Sequence, residues 1–312
     1  MDRTRIAVVG VGYLGQHHAR LLAAMPQVDL VAVVDTDLER GAEIAAKCGT
    51  VSLAEASTLV GNVEAAIIAT PTTSHVEMAL PFINGGAAVL VEKPLAASVR
   101  EADRLVKAAT VRGTILATGH TERFNPAVTA ALPLVSGPRF IEVHRLGAFP
   151  DRSLDIDVIF DLMIHDVDVL LAAVGSDVVS VEAVGVNVLT PRVDIANARL
   201  RFASGCIANV TASRISRDRV RKARFFQRDS YVSIDYAEQE VEAYQLVAEG
   251  GGRPAIRGGR IEVARDEPLR LELVDFVGAI RGNRPPAVTG RDGRVALALA
   301  TQVSELIAKD AT

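Results

Sequence analysis

Gly10-Val11-Gly12-Tyr13-Leu14-Gly15 is the stretch whose reading decides the fold of this chain. It follows the aliphatic run Ile6–Val9 and opens a helical pattern, so strand, glycine turn and helix succeed one another without a gap. Each glycine has a task in that order. Gly10 permits the tight turn, Gly12 lets the backbone approach a pyrophosphate, and Gly15 allows close packing of helix on strand. Tyr13 and Leu14 complete the turn at a helix N-terminus, whose N–H groups attract anions. The next aliphatic run, Leu30–Val34, ends at Asp35, twenty positions beyond Gly15. A carboxylate there accepts hydrogen bonds from the ribose hydroxyls of a dinucleotide. It also repels a 2′-phosphate, which favours NAD over NADP, with Arg40 nearby to soften the preference. Asp37 reads as a cap for the following helix.

The same alternation continues outward from this turn. Ala65–Ala69, Ala88–Val91 and Thr114–Ala117 read as further buried strands, with helical patterns between them. Ser52 with Glu55, and Ser98 with Glu101, have capping-box spacing, and Gly49 and Gly113 stand where helices stop. A parallel sheet covered on both faces follows. After about residue 122 the rhythm changes. A short helix is predicted at Asn125-Pro126, a strand at Phe140–Leu146 and a helix at Ile156–Ala173. Strand follows strand from Val178 to about Val263, with turns at Ser204-Gly205, Asp229-Ser230 and Gly250-Gly251-Gly252. Two helices, near Leu269–Arg281 and Arg294–Ala308, close the chain. The expected architecture is an α/β Rossmann domain over residues 1–122. An α+β domain with an open, mainly antiparallel sheet is expected over residues 123–312.

Composition excludes several classes. The 312 residues are 49% hydrophobic, enough for two cores, and Lys+Arg 34 against Asp+Glu 38 leaves a charge of −4, which argues against nucleic acid as a partner. The longest stretch without Asp, Glu, Lys or Arg, Phe124–Pro138, carries three prolines. It falls short of the roughly 18–20 residues of a membrane span. The two cysteines, Cys48 and Cys206, form no CxxC motif, so no thiolate metal site or disulfide framework is expected, and a reducing cytoplasm is the natural compartment.

Two segments carry candidate chemistry. Glu92-Lys93-Pro94 follows a strand at the carboxyl edge of the sheet, where a lysine can favour the alkoxide-like state of a substrate hydroxyl during oxidation. From position alone an ordinary surface lysine fits equally well. On the helix Ile156–Ala173, Asp157, Asp161, His165 and Asp168 share one face. His165 can accept a hydroxyl proton while Asp161, one turn earlier, orients it or binds a neighbouring hydroxyl. Taken alone, the face also reads as a solvated acidic surface with one histidine. No metal site is expected, because no second histidine stands at ligand spacing.

With these residues assembled, the chain resembles the glucose–fructose oxidoreductase / inositol dehydrogenase / MocA family over nearly its whole length. The matching pieces are Gly10–Gly15, Ala69-Thr70-Pro71 with His75, Glu92-Lys93-Pro94, and Asp161 with His165. The resemblance implies an NAD-dependent sugar dehydrogenase with Lys93 and His165 as catalytic pair and Asp161 assisting, the roles of the pair being exchangeable. It implies Thr70, Pro71, His75, Glu92 and Lys93 beside the glycine turn and Asp35 as cofactor residues. It also implies a homodimer or homotetramer using the open sheet.

A narrower similarity lies in Gly119–Pro126, Asp161–Asp168, Ser213-Arg214-Ile215-Ser216 and Asp235-Tyr236. These segments look like the UDP-N-acetylglucosamine 3-dehydrogenase branch, whose 3-keto product feeds a PLP-dependent aminotransferase making 3-amino sugars for lipid A. That likeness implies Lys93, Arg123, Asp161, His165 and Arg214 as substrate residues. Arg214 opens a basic stretch to Arg228, most of which reads as charge that discourages strand pairing. His17, His18 and His144 read as packing or surface residues. The alternatives are a dehydrogenase of another sugar or polyol such as inositol, an NAD-dependent glycosidase, and a non-catalytic NAD sensor.

Overall fold

The computed structural model describes residues 3–149, 156–248 and 254–310. The turn expected at Gly250-Gly251-Gly252 lies outside them. In the first third, short aliphatic runs form β1 (Thr4–Val9), β2 (Val28–Val34), β3 (Val51–Leu53), β4 (Ala65–Ile68), β5 (Ala88–Glu92) and β6 (Leu116–Gly119), all largely buried except the edge strand β3. All pair in parallel, in the order β3-β2-β1-β4-β5-β6. The order reverses between β1 and β4, and a doubly wound sheet receives ligands at the carboxyl ends of the strands at such a switch point.

The helices of this unit are α1 (Gly15–Ala23), α2 (Leu38–Cys48), α3 (His75–Asn84) and α4 (Val99–Arg112). Asp37 caps α2 by accepting from Arg40 N at 3.1 Å, and Ser98 caps α4 by accepting from Glu101 N at 3.3 Å. Ser52 corrects the corresponding expectation. It lies in β3 opposite Val33 and starts no helix, because edge pairing with β2 satisfies more backbone groups than a single cap does.

The second unit opens with α5 (Pro126–Ala131), whose cap Asn125 accepts from Ala127 N at 3.0 Å. β7 (Phe140–Leu146) follows, then a π-helical turn (Ile159–Met163) running into α6 (Ile164–Val174). The remaining strands are β8 (Val178–Val186), β9 (Ile195–Phe202), β10 (Ile207–Ser213), β11 (Val220–Phe226), β12 (Ser230–Asp235), β13 (Glu240–Val247) and β14 (Ala255–Ile261). They form one sheet in the order β14-β13-β12-β11-β7-β10-β9-β8, antiparallel except where β10 meets β7. Period-2 alternation buries Ile141, Val143, Leu200, Val210, Phe225 and Ile234 on one face. The rings of Phe140, Phe226, Tyr231 and Tyr244 form a row with successive centroids 5.7, 5.1 and 6.3 Å apart.

The chain ends in α7 (Pro268–Gly282) and α8 (Gly290–Asp310). The expected division at residue 122 put all later residues in the second domain, and the packing differs. Residues 269–297 join residues 1–120 in one compact unit, while 121–268 and 298–312 form the other. The reason is burial: Leu273, Phe276 and Val277 of α7 share a core with Ile6, Val8, Ile67 and Leu90. No helix among the described residues is long and apolar enough to cross a membrane.

Candidate active site

The glycine turn is built around contacts that leave no room for side chains. Gly10 has φ +84°, and a Cβ there would lie 2.8 Å from the Ala69 carbonyl oxygen at the end of β4. A Cβ on Gly15 would lie 1.8 Å from the carbonyl oxygen of Gly10. Around Gly12, by contrast, a Cβ would meet nothing within 4 Å, so the backbone there is open to approach. No side chain caps α1 and no acid stands in its first turn, which leaves its positive end to an anion. Asp35 closes the turn: one oxygen accepts from Val11 N at 2.8 Å and the other from Asp37 N at 2.9 Å. Half-buried and fixed in this way, its remaining lone pairs suit ribose hydroxyls. These features fit a dinucleotide diphosphate and its adenosine ribose. Asp35→Ala is expected to weaken NAD binding about 10- to 100-fold, since hydrogen bonds to a charged group contribute about 1.5–3 kcal/mol. Calorimetric titration checks this, and unchanged affinity would remove Asp35 from the site.

The turn after β4 carries half-buried Thr70 and exposed Pro71. His75, expected among the cofactor residues, is 1% exposed. Its Nδ1 is 3.0 Å from the Pro94 carbonyl and its Nε2 is 2.9 Å from the Thr70 carbonyl. Burial holds the imidazole below the ordinary histidine range despite both carbonyls and the Glu92 charge. Glu92 ends β5 nearly fully buried. Burial works to raise its carboxyl, but the hydrogen bond and charge of His18 and the charge of Lys93 outweigh that and hold it low. Lys93 follows it, half-buried at the carboxyl edge of the sheet.

In the second unit Asp161 lies inside the π turn and His165 in the first turn of α6 that follows it, both half-buried. Such turns recur at functional sites because they break the regular helical register. The residues after His165 are committed to structure. Asp166 receives a bidentate fork from Arg145 at 2.7 and 2.9 Å, and Arg145 also reaches Glu122 at 2.8 Å. Burial opposes the Arg145 charge, yet Asp166 and Glu122 push its pKa well above the ordinary value. Its guanidinium stands 5.2 Å from the centre of the Tyr236 ring. Asp168 receives a second fork from Arg123 at 2.9 and 2.7 Å. Two forks on neighbouring residues fix the rotation of α6, and with it His165.

Arg123 and Arg214, expected to meet substrate, both hold carboxylates of the second unit. Arg123 is spent on Asp168. Arg214 is 2% exposed, donating from Nε to Asp194 at 2.9 Å, from Nη1 to the Ile156 carbonyl at 2.7 Å and from Nη2 to Thr190 Oγ1 at 3.0 Å. Asp194 also accepts from the N–H groups of Val188, Leu189 and Thr190 at 2.8, 2.6 and 2.9 Å. Burial would raise the Asp194 carboxyl, but these donors hold it far below the usual carboxylate range. Val193 joins the same knot to the start of the π turn by donating to Asp157 Oδ1 at 3.1 Å. Arg214 thus holds the segment leading to Asp161 in place. Its acidic partner is twenty residues away and carries no local signal. His18, which reads from sequence as a packing or surface residue, lies with Gly15 and Leu22 on the buried stripe of α1.

Residues 4–120 match a family model described as an oxidoreductase family with an NAD-binding Rossmann fold, and residues 138–228 match the GFO/IDH/MocA C-terminal domain. The chain is 39% identical to a UDP-N-acetylglucosamine 3-dehydrogenase of Acidithiobacillus ferrooxidans over 97% of both chains. A solved structure of the enzyme of that name from the same organism superposes with a TM-score of 0.92 over 98% of each chain, at 37% identity. The scyllo-inositol 2-dehydrogenase (NAD(+)) of Bacillus subtilis is 27% identical over 95% of this chain and 91% of its own. A levoglucosan dehydrogenase in complex with NADH and L-sorbose shares the fold, with a TM-score of 0.88 at 18% identity over 98% of this chain and 97% of its own.

Proposed function

The chain belongs to the GFO/IDH/MocA family of oxidoreductases, and from that membership we propose that it oxidises the C3 hydroxyl of UDP-N-acetylglucosamine with NAD as cofactor. The observation that carries this reading is the 39% identity to an enzyme of that name across 97% of both chains. Bound NAD supplies the acceptor for the hydride leaving the sugar carbon. His165 takes the hydroxyl proton as general base, and the Lys93 ammonium stabilises negative charge developing on the oxygen. Asp161 orients the imidazole or an adjacent hydroxyl. Arg145 with Asp166, and Arg123 with Asp168, keep His165 from turning away.

The product of this reaction is a 3-keto sugar nucleotide, a carbonyl that a PLP-dependent aminotransferase converts to a 3-amino sugar of the lipid A type. We place the reaction in the cytoplasm, where Cys48 and Cys206, both free, stay reduced. We also assign the ring-bearing sheet face to a homodimer or homotetramer. The test mixes pure protein, NAD and UDP-N-acetylglucosamine and follows NADH absorbance, with product NMR to identify the oxidised carbon. Turnover of the nucleotide sugar is expected. Turnover of inositol alone would move the assignment to a polyol, the second reading that the Bacillus relative favours. Release of free sugar without net NADH would indicate a glycosidase.

A further inference from the structure

One buried histidine outside the assigned chemistry reaches the residue before Lys93. His18 on α1 is fully buried, with Nε2 2.7 Å from Glu92 Oε1. An ionised carboxylate only accepts, so the proton of that bond is on Nε2. The other oxygen, Oε2, accepts the N–H of Lys93 at 3.2 Å. One carboxylate therefore joins α1 to the backbone of Lys93. Gly119, opposite Glu92 on β6, makes room for it, since a Cβ there would lie 2.9 Å from Oε2. Glu272 of α7 adds a second buried carboxylate, and ligand atoms of His18, Glu92 and Glu272 all lie within 4.8 Å of one another. On the other side of Lys93, His75 lies between two carbonyls, Nδ1 3.0 Å from that of Pro94 and Nε2 2.9 Å from that of Thr70, and its neutral ring has one N–H to give to one of them.

We propose that His18 is a positioning residue that ties the Lys93 turn to the glycine turn through α1 and Glu92. The proposal rests on Lys93 being catalytic. α1 begins at the glycine turn, so the His18 imidazole links a wall of the dinucleotide site to the residue before Lys93. Without the His18 N–H, two carboxylates crowd a buried space with one fewer donor. Repulsion then drives Glu92 to take a proton or move, and either change loosens its hold on Lys93 N–H. A displacement of about 1 Å in a reacting group costs up to about 100-fold in rate.

The experiment compares wild type with His18→Leu and His18→Gln, the glutamine supplying an N–H donor near the place of Nε2. Two quantities are read: steady-state kcat and KM for NAD, and the acylation rate of Lys93 by a lysine-directed ester. Acylation is followed by mass spectrometry without substrate, with exposed Lys107 as internal reference. His18→Leu is expected to lower kcat roughly 10- to 100-fold with KM for NAD within about threefold. The acylation ratio of Lys93 to Lys107 is expected to shift at least about threefold, and His18→Gln to restore most of both. If His18→Leu does not fold, His18→Met, which fills the space without a donor, gives the same readout. An unchanged acylation ratio overturns the proposal, as does equal loss in His18→Leu and His18→Gln in proportion to unfolded protein. A shifted ratio in a protein that turns over no sugar would retain the clamp and reject the dehydrogenase reading instead.

Discussion

Lys93→Met is expected to lower kcat by roughly 10³-fold while leaving NAD affinity within about tenfold. The estimate combines what positioned proton transfer and preorganised charge each contribute, about 10²–10⁴ and 10²–10³ in rate. Methionine keeps most of the length and packing of the side chain and removes only the ammonium. The backbone at Gly12 and the uncapped start of α1, which fit a diphosphate, do not change. Lys93→Arg is expected to rescue little, because a planar fork does not reproduce a compact ammonium at one oxygen. Steady-state kinetics with calorimetric NAD titration checks both halves. Turnover within a few-fold of wild type would take Lys93 out of the chemistry.

The second large effect concerns stability. Arg145→Met is expected to cost about 3–5 kcal/mol, because it leaves Asp166 buried without its cation and takes the guanidinium from Glu122, which keeps only its bond from Asn125 Nδ2 among those described. Breaking one side of a buried pair costs more than removing the whole set. A triple variant, Arg145→Met with Asp166→Leu and Glu122→Gln, is therefore expected to recover much of the loss. Denaturant unfolding followed by circular dichroism gives both numbers. Loss in the single variant below about 1 kcal/mol would show that the network contributes no more than an exposed ion pair.

What the sequence discloses is what local chemistry determines. The glycine turn, Asp35, the caps at Asp37, Ser98 and Asn125 and the aliphatic strands each depend on neighbours close in the chain, and all are legible. Ser52 misleads because its capping signal is the weaker claim on that backbone: pairing beside β2 is set by the sheet. Asp168 and Asp194, which the fold brings to Arg123 and Arg214, lie too far away in the chain to leave a local signal. The π turn leaves no periodic trace, since one extra residue in a turn is invisible against the apolar stripe around it. His18 was legible as a polar residue on a buried stripe, though its partner Glu92, seventy-four positions on, was not.

The placement of α7 in the first unit has a consequence for biosynthesis. The ribosome delivers the parallel sheet first, then the whole of residues 121–268, before Leu273 and Phe276 emerge to complete the core around Ile6 and Val8. A nascent chain thus carries an unfinished apolar surface through most of its synthesis, and a fragment cut at residue 122 keeps that surface permanently bare. Its earliest-made half is the last to be sealed.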